Sequence, residues 1–165
     1  GSGLSRKILG GVKVPHYNFR KDHKIARKTE RQIADYLVSK GYEFIDECDN
    51  ADYDIRMKTP SGDVITIEIK EDFTCRKTGN VGLEYHCRGK PSGISVSKAD
   101  FYLYKVHEPS GEKNMYIIKT SELKEMVENK LWFREVNGGD PGSNSLNYLF
   151  KLGVIKSRFK VLRED

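Results

Sequence analysis

Between Asp54 and Lys70 the chain reads DIRMKTPSGDVITIEIK, and this stretch constrains the fold more than any other. Thr59-Pro60-Ser61-Gly62-Asp63 is a turn signal set between two β-prone runs, the pattern of a hairpin. With Ser61 at the apex, Asp54 and Glu68 are equidistant from it and oppose each other. Side chains alternate along a strand, so Glu68 and Lys70 share one face while Ile65, Ile67 and Ile69 share the other. Opposed residues point the same way, which brings two carboxylates and an ammonium onto one patch of an otherwise apolar sheet. Facing like charges repel, so the pair calls for a cation, and carboxylate oxygens suit a hard divalent metal.

The rest of the chain reads as one domain. It has 165 residues, enough for a single core, and its 37% hydrophobic and 32% charged content describes a globular chain. No apolar run approaches the ~20 residues of a membrane helix. Gly1-Ser2-Gly3 reads as a cloning remnant and no secretory signal is visible, so residues 4–21 are expected to form an N-terminal loop or arm and 22–165 the domain. Cys48, Cys75 and Cys87 are odd in number and lack C-x-x-C spacing, which argues against a disulfide framework or structural zinc and fits a reducing, cytoplasmic setting.

Asp22–Lys40 carries helical periodicity through Ile25, Ala26, Thr29, Ile33, Tyr36 and Leu37, with Gly41 as the stop. A strand at YEFID leads to the hairpin, and VGLEYHC (81–87) alternates as another strand. FYLYKVH and NMYIIKT form a second hairpin around Glu108-Pro109-Ser110-Gly111-Glu112. Thr120 or Ser121 is expected to cap a helix reaching about Lys130. Residues 136–144 read as a long loop, and the stretch from Leu146 is undecided between helix and strand. Helices and strands in this order predict an α/β or α+β architecture, a mixed sheet with flanking helices.

Glu30 stands out within the helix. At 100° per residue it projects about 60° from Ile33 and about 20° from Leu37, inside the apolar arc. A carboxylate there is costly unless paired or coordinated. The alternatives are a structural salt bridge, a helix rotated enough to free the side chain, or delivery of Glu30 to the metal patch.

Asp54, Glu68 and Lys70 together resemble the signature of the PD-(D/E)XK nuclease superfamily: an acid, a hairpin, then Glu or Asp, one residue and Lys. Tyr53 stands where the motif has proline. RKTERQIADYLVSKGYEFID, followed by YDI and ITIEIK, is similar to the archaeal Holliday-junction-resolvase branch, with Glu30 matching its helical acid. This similarity covers roughly residues 24–70. It implies a restriction-endonuclease-like mixed β-sheet core flanked by helices and metal-dependent cleavage of DNA. Asp54, Glu68, the Ile69 carbonyl and Glu30 would hold Mg2+, with Mn2+ as substitute, and Lys70 would orient or deprotonate the nucleophile or stabilise the transition state.

The net charge of +5 agrees with a polyanionic partner, and a homodimer is compatible with the pattern. Arg76, Lys77, Arg88 and Lys90 lie near the hairpin and are candidate phosphate contacts, with Ser92 beside them at an expected helix start. Glu84 and His86 share a strand face and are candidates for the outer shell, against the alternative of a plain exposed face. Tyr102 and Tyr104 are more consistent with core than with base stacking. A non-catalytic nucleic-acid-binding domain of the same fold, or an RNA-directed nuclease with the same site, are the competing readings.

Overall fold

A computed structural model describes residues 4–9, 12–17, 24–48, 52–138 and 144–163, with side chains from Lys28 onward. The strands are β1 (Leu4–Leu9), β2 (Val12–Tyr17), β3 (Glu43–Glu47), β4 (Ile55–Lys58), β5 (Val64–Asp72), β6 (Asn80–Cys87), β7 (Lys90–Pro91), β8 (Phe101–His107), β9 (Lys113–Lys119), β10 (Arg134–Gly138), β11 (Ser145–Lys151) and β12 (Lys160–Leu162). The helices are α1 (Lys24–Ser39), α2 (Cys75–Thr78), α3 (Thr120–Glu128) and α4 (Leu152–Arg158). The protein is a mixed α/β structure. Its main sheet has six strands in the order β12-β9-β8-β5-β4-β3, antiparallel except for the parallel pair β5–β8. No helix among the described residues is long and apolar enough to cross a membrane.

The hairpin forms in the expected register. Met57 pairs with Ile65 and Ile55 with Ile67, while the Thr59 and Asp63 backbones close the turn and Gly62 takes φ 97°. Helix α1 ends at the expected glycine: Gly41 adopts φ 93°, and Tyr42 N–H reaches the Leu37 carbonyl at 3.0 Å. The second hairpin, β8–β9, is also present from Phe101↔Lys119 to His107↔Lys113.

The two faces of the six-stranded sheet carry separate cores. Ile33 and Leu37 of α1 pack on Ile55, Met57, Ile67, Ile69 and Leu103. The other face, with Tyr102, Tyr104, Val106, Tyr116 and Ile118, packs on Val81, Leu83 and Phe150 and on residues of α3 and α4. Val81, Leu83 and Phe150 belong to a second, four-stranded sheet of order β10-β11-β6-β7, which sequence patterning does not reveal. Glu68 and Lys70 therefore face this second layer.

Several expectations are corrected. Residues Leu4–Leu9 and Val12–Tyr17 pair as an antiparallel two-stranded sheet where a loop or arm was expected; Leu9↔Val12 leaves Gly10-Gly11 between them, a two-residue hairpin signal. Val136–Gly138 belong to β10, so the expected loop shortens, and its residues 139–143 lie outside the described residues, as do Gly1–Gly3 and the helix start at Asp22. The N-cap of α3 is Lys119, with no side-chain capping bond; Thr120 is already helical. After β11 the chain forms α4 and then β12, resolving the undecided tail as strand, helix and strand.

Gly93 fixes how the crossover between β5 and β8 approaches β6. It opens a 3-10 turn (Gly93–Ser95) with φ 51°, and a Cβ there would sit 2.1 Å from the Glu84 carbonyl oxygen. Both the backbone conformation and the contact exclude a side chain. Gly93→Ala is expected to destabilise the fold by about 3 kcal/mol or more, measured by urea denaturation.

Candidate functional site

Asp54 sits just before β4, where the ladder to β5 begins. Its N–H bonds the Ile67 carbonyl at 3.0 Å, and its Oδ2 accepts the Ile69 N–H at 2.7 Å. The carboxylate thus takes the place of a main-chain acceptor and is held against the backbone between Glu68 and Lys70. This anchoring follows from the hairpin register, which sets Asp54 across from Glu68.

Glu68 is buried, and its Oε2 lies 3.1 Å from Lys70 Nζ. Its Oε1 is 3.5 Å from the hydroxyl of Ser97, itself buried. Burial foremost pushes the Glu68 carboxyl up to about 7; the Asp54 charge and a hydrogen bond shared with Asp54 add to this, against the opposing Lys70 charge. Glu68 therefore retains a proton in part near neutrality, beside the Asp54 carboxylate. Burial would lower the Lys70 pKa, but the charges of Glu68 and Asp54, the Glu68 hydrogen bond and the Glu84 charge raise it instead. Lys70 is an ammonium in this setting.

Glu84 approaches from the second sheet. Ser92 donates to its Oε2 at 3.0 Å and Ser145 to its Oε1 at 2.7 Å. Gly82, Glu84 and His86 lie opposite the core face of Val81 and Leu83, and the β6–β11 register shifts between Leu146 and Asn147, leaving Tyr85 as an extra residue. The Glu84 charge is among those that raise the Lys70 pKa. His86 stands at the end of this strand, paired with Pro91 of β7.

Other candidates are placed differently. Ser92 gives its hydroxyl to Glu84, and the turn after it spans only Gly93–Ser95, so the expected anion-binding helix start is not formed. The Arg76 guanidinium bonds the carbonyls of Glu108, Gly111 and Glu112, latching the β8–β9 turn. Lys77, Arg88 and Lys90 are exposed, with Arg88 and Gly89 between β6 and β7 at φ 53° and 76°. Tyr102 and Tyr104 are buried, as core residues should be, and are not available for stacking on bases.

Glu30 is buried on α1, as its place on the apolar arc requires. No group of three or more His, Cys, Asp or Glu side chains arranged to hold a metal occurs among the described residues. The neighbouring Thr29 hydroxyl bonds Glu71, which also meets His107 Nε2 at 2.7 Å. Partial burial of Glu71 raises its pKa, yet the Thr29 and His107 hydrogen bonds and the Lys105 charge bring it below the ordinary carboxylate value. This network lies on the α1 side of the sheet, and sequence reading missed it because its members are spread from residue 29 to 107. Ser97 and Ser145 were missed for the same reason.

Two carboxylates with an amide-fixed geometry and a retained proton fit a divalent cation, because the cation replaces the proton and relieves the repulsion. The observed side-chain donor set is small: Asp54 and Glu68, with the Ile69 carbonyl as the expected main-chain oxygen. No protein-family model, curated protein or solved structure matches this chain.

Proposed function

We propose that the protein is a magnesium-dependent endonuclease that hydrolyses phosphodiester bonds of DNA on a restriction-endonuclease-like core. The observation that carries this reading is the Asp54–Glu68 carboxyl pair at the start of a hairpin, with Lys70 Nζ 3.1 Å from Glu68. Asp54, Glu68 and the Ile69 carbonyl would hold the magnesium ion. Bound there, magnesium supplies Lewis-acid charge and eases ionisation of water at neutral pH. Asp54 is preorganised by the Ile69 N–H, so the acidic pair needs little rearrangement. Lys70, kept protonated by its acidic neighbours, orients the scissile phosphate and offsets charge developing on its oxygens, in preference to taking a proton. Glu84, braced by Ser92 and Ser145, adds its negative charge to the surroundings of the ammonium.

Supercoiled plasmid, single-stranded DNA, a four-way junction and a structured RNA, each incubated with magnesium, manganese or EDTA, test this reading. Nicking or linearisation of DNA that stops in EDTA supports it. Cleavage of RNA alone would favour the RNA-directed alternative, and binding without cleavage in either metal would favour a non-catalytic domain.

The exposed pair Arg88 and Lys90 is proposed to contact the DNA backbone. Each phosphate contact releases condensed counterions, at a log–log slope of about −0.9 per contact on duplex DNA. Substituting Arg88 and Lys90 by alanine is expected to weaken binding across all sequences and flatten the salt slope by up to about two units, measured by fluorescence anisotropy. An unchanged slope would place the DNA elsewhere on the surface.

A further inference from the structure

Helix α1 packs over β3 and β5, and a cavity of about 710 Å³ lies between it and the strands β8 and β9. That volume is in the range of small-molecule sites. Asp54, Glu68 and Lys70 take no part in its lining. The helix contributes Gln32, Asp35, Tyr36 and Ser39, which recur at three- and four-residue spacing and so share one side of α1. The half-buried Tyr36 and Met115 give the cavity apolar surface, and the buried Ile33 also lines it.

The charge on its walls is uneven. Lys105 is a fixed ammonium rather than a loose surface charge: its side chain is 17% exposed, and its Nζ lies 2.7 Å from Gln32 Oε1 and 3.8 Å from Glu71 Oε2. An ammonium has three donors, and these two partners use at most two of them. Met115 is the register partner of Lys105, and Lys113, exposed, stands two residues before Met115 on the same strand face. Lys40 Nζ is 5.7 Å from the centroid of the Tyr36 ring. Among the described residues three lysines border the cavity against one carboxylate, Asp35, so it favours an anionic guest. A bare phosphate would fill a small part of the volume and leave Met115 and Tyr36 against water. A flat ring joined to a phosphate uses both kinds of wall, and Asp35 and Ser39 add acceptors for the hydroxyls of a sugar.

We propose that this cavity is a binding site for a nucleoside phosphate, the phosphate held by Lys105 and Lys113 and the base laid against Met115 and Tyr36 beside Lys40. The site is independent of the reading of Asp54 and Glu68 as a metal site. A free mononucleotide and the 5′-phosphorylated end of a strand carry the same chemistry.

The test titrates the full chain by calorimetry in EDTA at low salt, with adenosine 5′-monophosphate as the probe. Adenosine, inorganic phosphate and a 5′-phosphorylated oligodeoxynucleotide are run beside it. The monophosphate is expected to bind saturably, and adenosine and phosphate each about tenfold or more weakly by comparison. Lys105→Met and Lys113→Met should each weaken the monophosphate about tenfold, the loss of one hydrogen bond to a charged group. Lys124→Met, an exposed lysine of α3, should bind as the wild type does. Should Lys105→Met lower the melting temperature, the exposed Lys113 decides. Competition by the oligonucleotide supports a strand end as the natural occupant, and saturable binding of the monophosphate without such competition supports a free nucleotide. No saturation at millimolar monophosphate, or phosphate binding as tightly as the monophosphate, would overturn the proposal. Equal losses in Lys124→Met and Lys113→Met would also overturn it, by showing diffuse charge attraction in place of a site. Cleavage is not read in this experiment, so its failure leaves the acidic site untouched.

Discussion

Asp54→Ala and Glu68→Ala are each expected to reduce magnesium-dependent plasmid cleavage to background, a loss of roughly a thousandfold or more, in a protein that remains folded. The reason is geometric as well as electrostatic. Asp54 is fixed by the Ile69 amide and Glu68 by Lys70, so removing either carboxylate leaves one oxygen donor group of the pair. Lys70→Ala should also lose about a hundredfold or more in kcat, but for a different reason: it removes charge stabilisation and leaves the acidic pair in place. Calorimetry separates the two classes. Mn2+ binding should vanish in the carboxylate variants and persist in Lys70→Ala. Cleavage by the wild type that proceeds equally in EDTA would refute the whole mechanism.

In the absence of divalent ions, Glu68→Gln is expected to be more stable than the wild type at pH 8, by roughly 2 kcal/mol, or about 4–8 °C in melting temperature. The sign follows from the direction of the shift. The Glu68 carboxyl is raised from 4.5 to about 7 in the folded protein, so the folded state binds the proton more tightly than the unfolded chain. This contribution to stability is fully present below about pH 4.5 and is lost as the pH rises through 7. Glutamine removes the titration, so the advantage of Glu68→Gln should grow between pH 5 and pH 8 and be small at pH 5. Adding magnesium at pH 8 should raise the melting temperature of the wild type and leave that of Glu68→Gln nearly unchanged. A stability difference independent of pH would mean that Glu68 is not held in its protonated form by this environment.

The hairpin and its acidic pair were legible from sequence because everything that sets them is local. The turn residues fix the register, and the register fixes which side chains meet, so Asp54 across from Glu68 needed no tertiary information. Glu30 was legible only as buried. The periodicity of a helix gives the face but not where that face docks, and α1 packs its apolar side on Ile67 and Ile69 of the sheet. The second sheet was not legible at all. Strand β6 alternates clearly, but its partner β11 follows more than fifty residues later, and pairing at that separation leaves no local trace. Ser97 and Ser145 escaped for the same reason: a lone serine announces nothing until its neighbours in space are known. Arg76 shows the converse error. A basic residue near a presumed site reads as a phosphate contact, yet its donors are taken by three carbonyls of a turn.

The Ser145–Glu84 hydrogen bond spans 61 residues of sequence, whereas Asp54, Glu68, Lys70, Glu84, Ser92 and Ser97 all come from one continuous run of the chain. Closing short loops costs less entropy than closing long ones, so the acidic cluster can assemble early in folding, from the hairpin, α2 and β6 alone. Strand β11 arrives later, and with it the second hydroxyl that fixes Glu84. A chain still emerging from the ribosome would carry the carboxylates before it carries the Ser145 hydroxyl that braces Glu84.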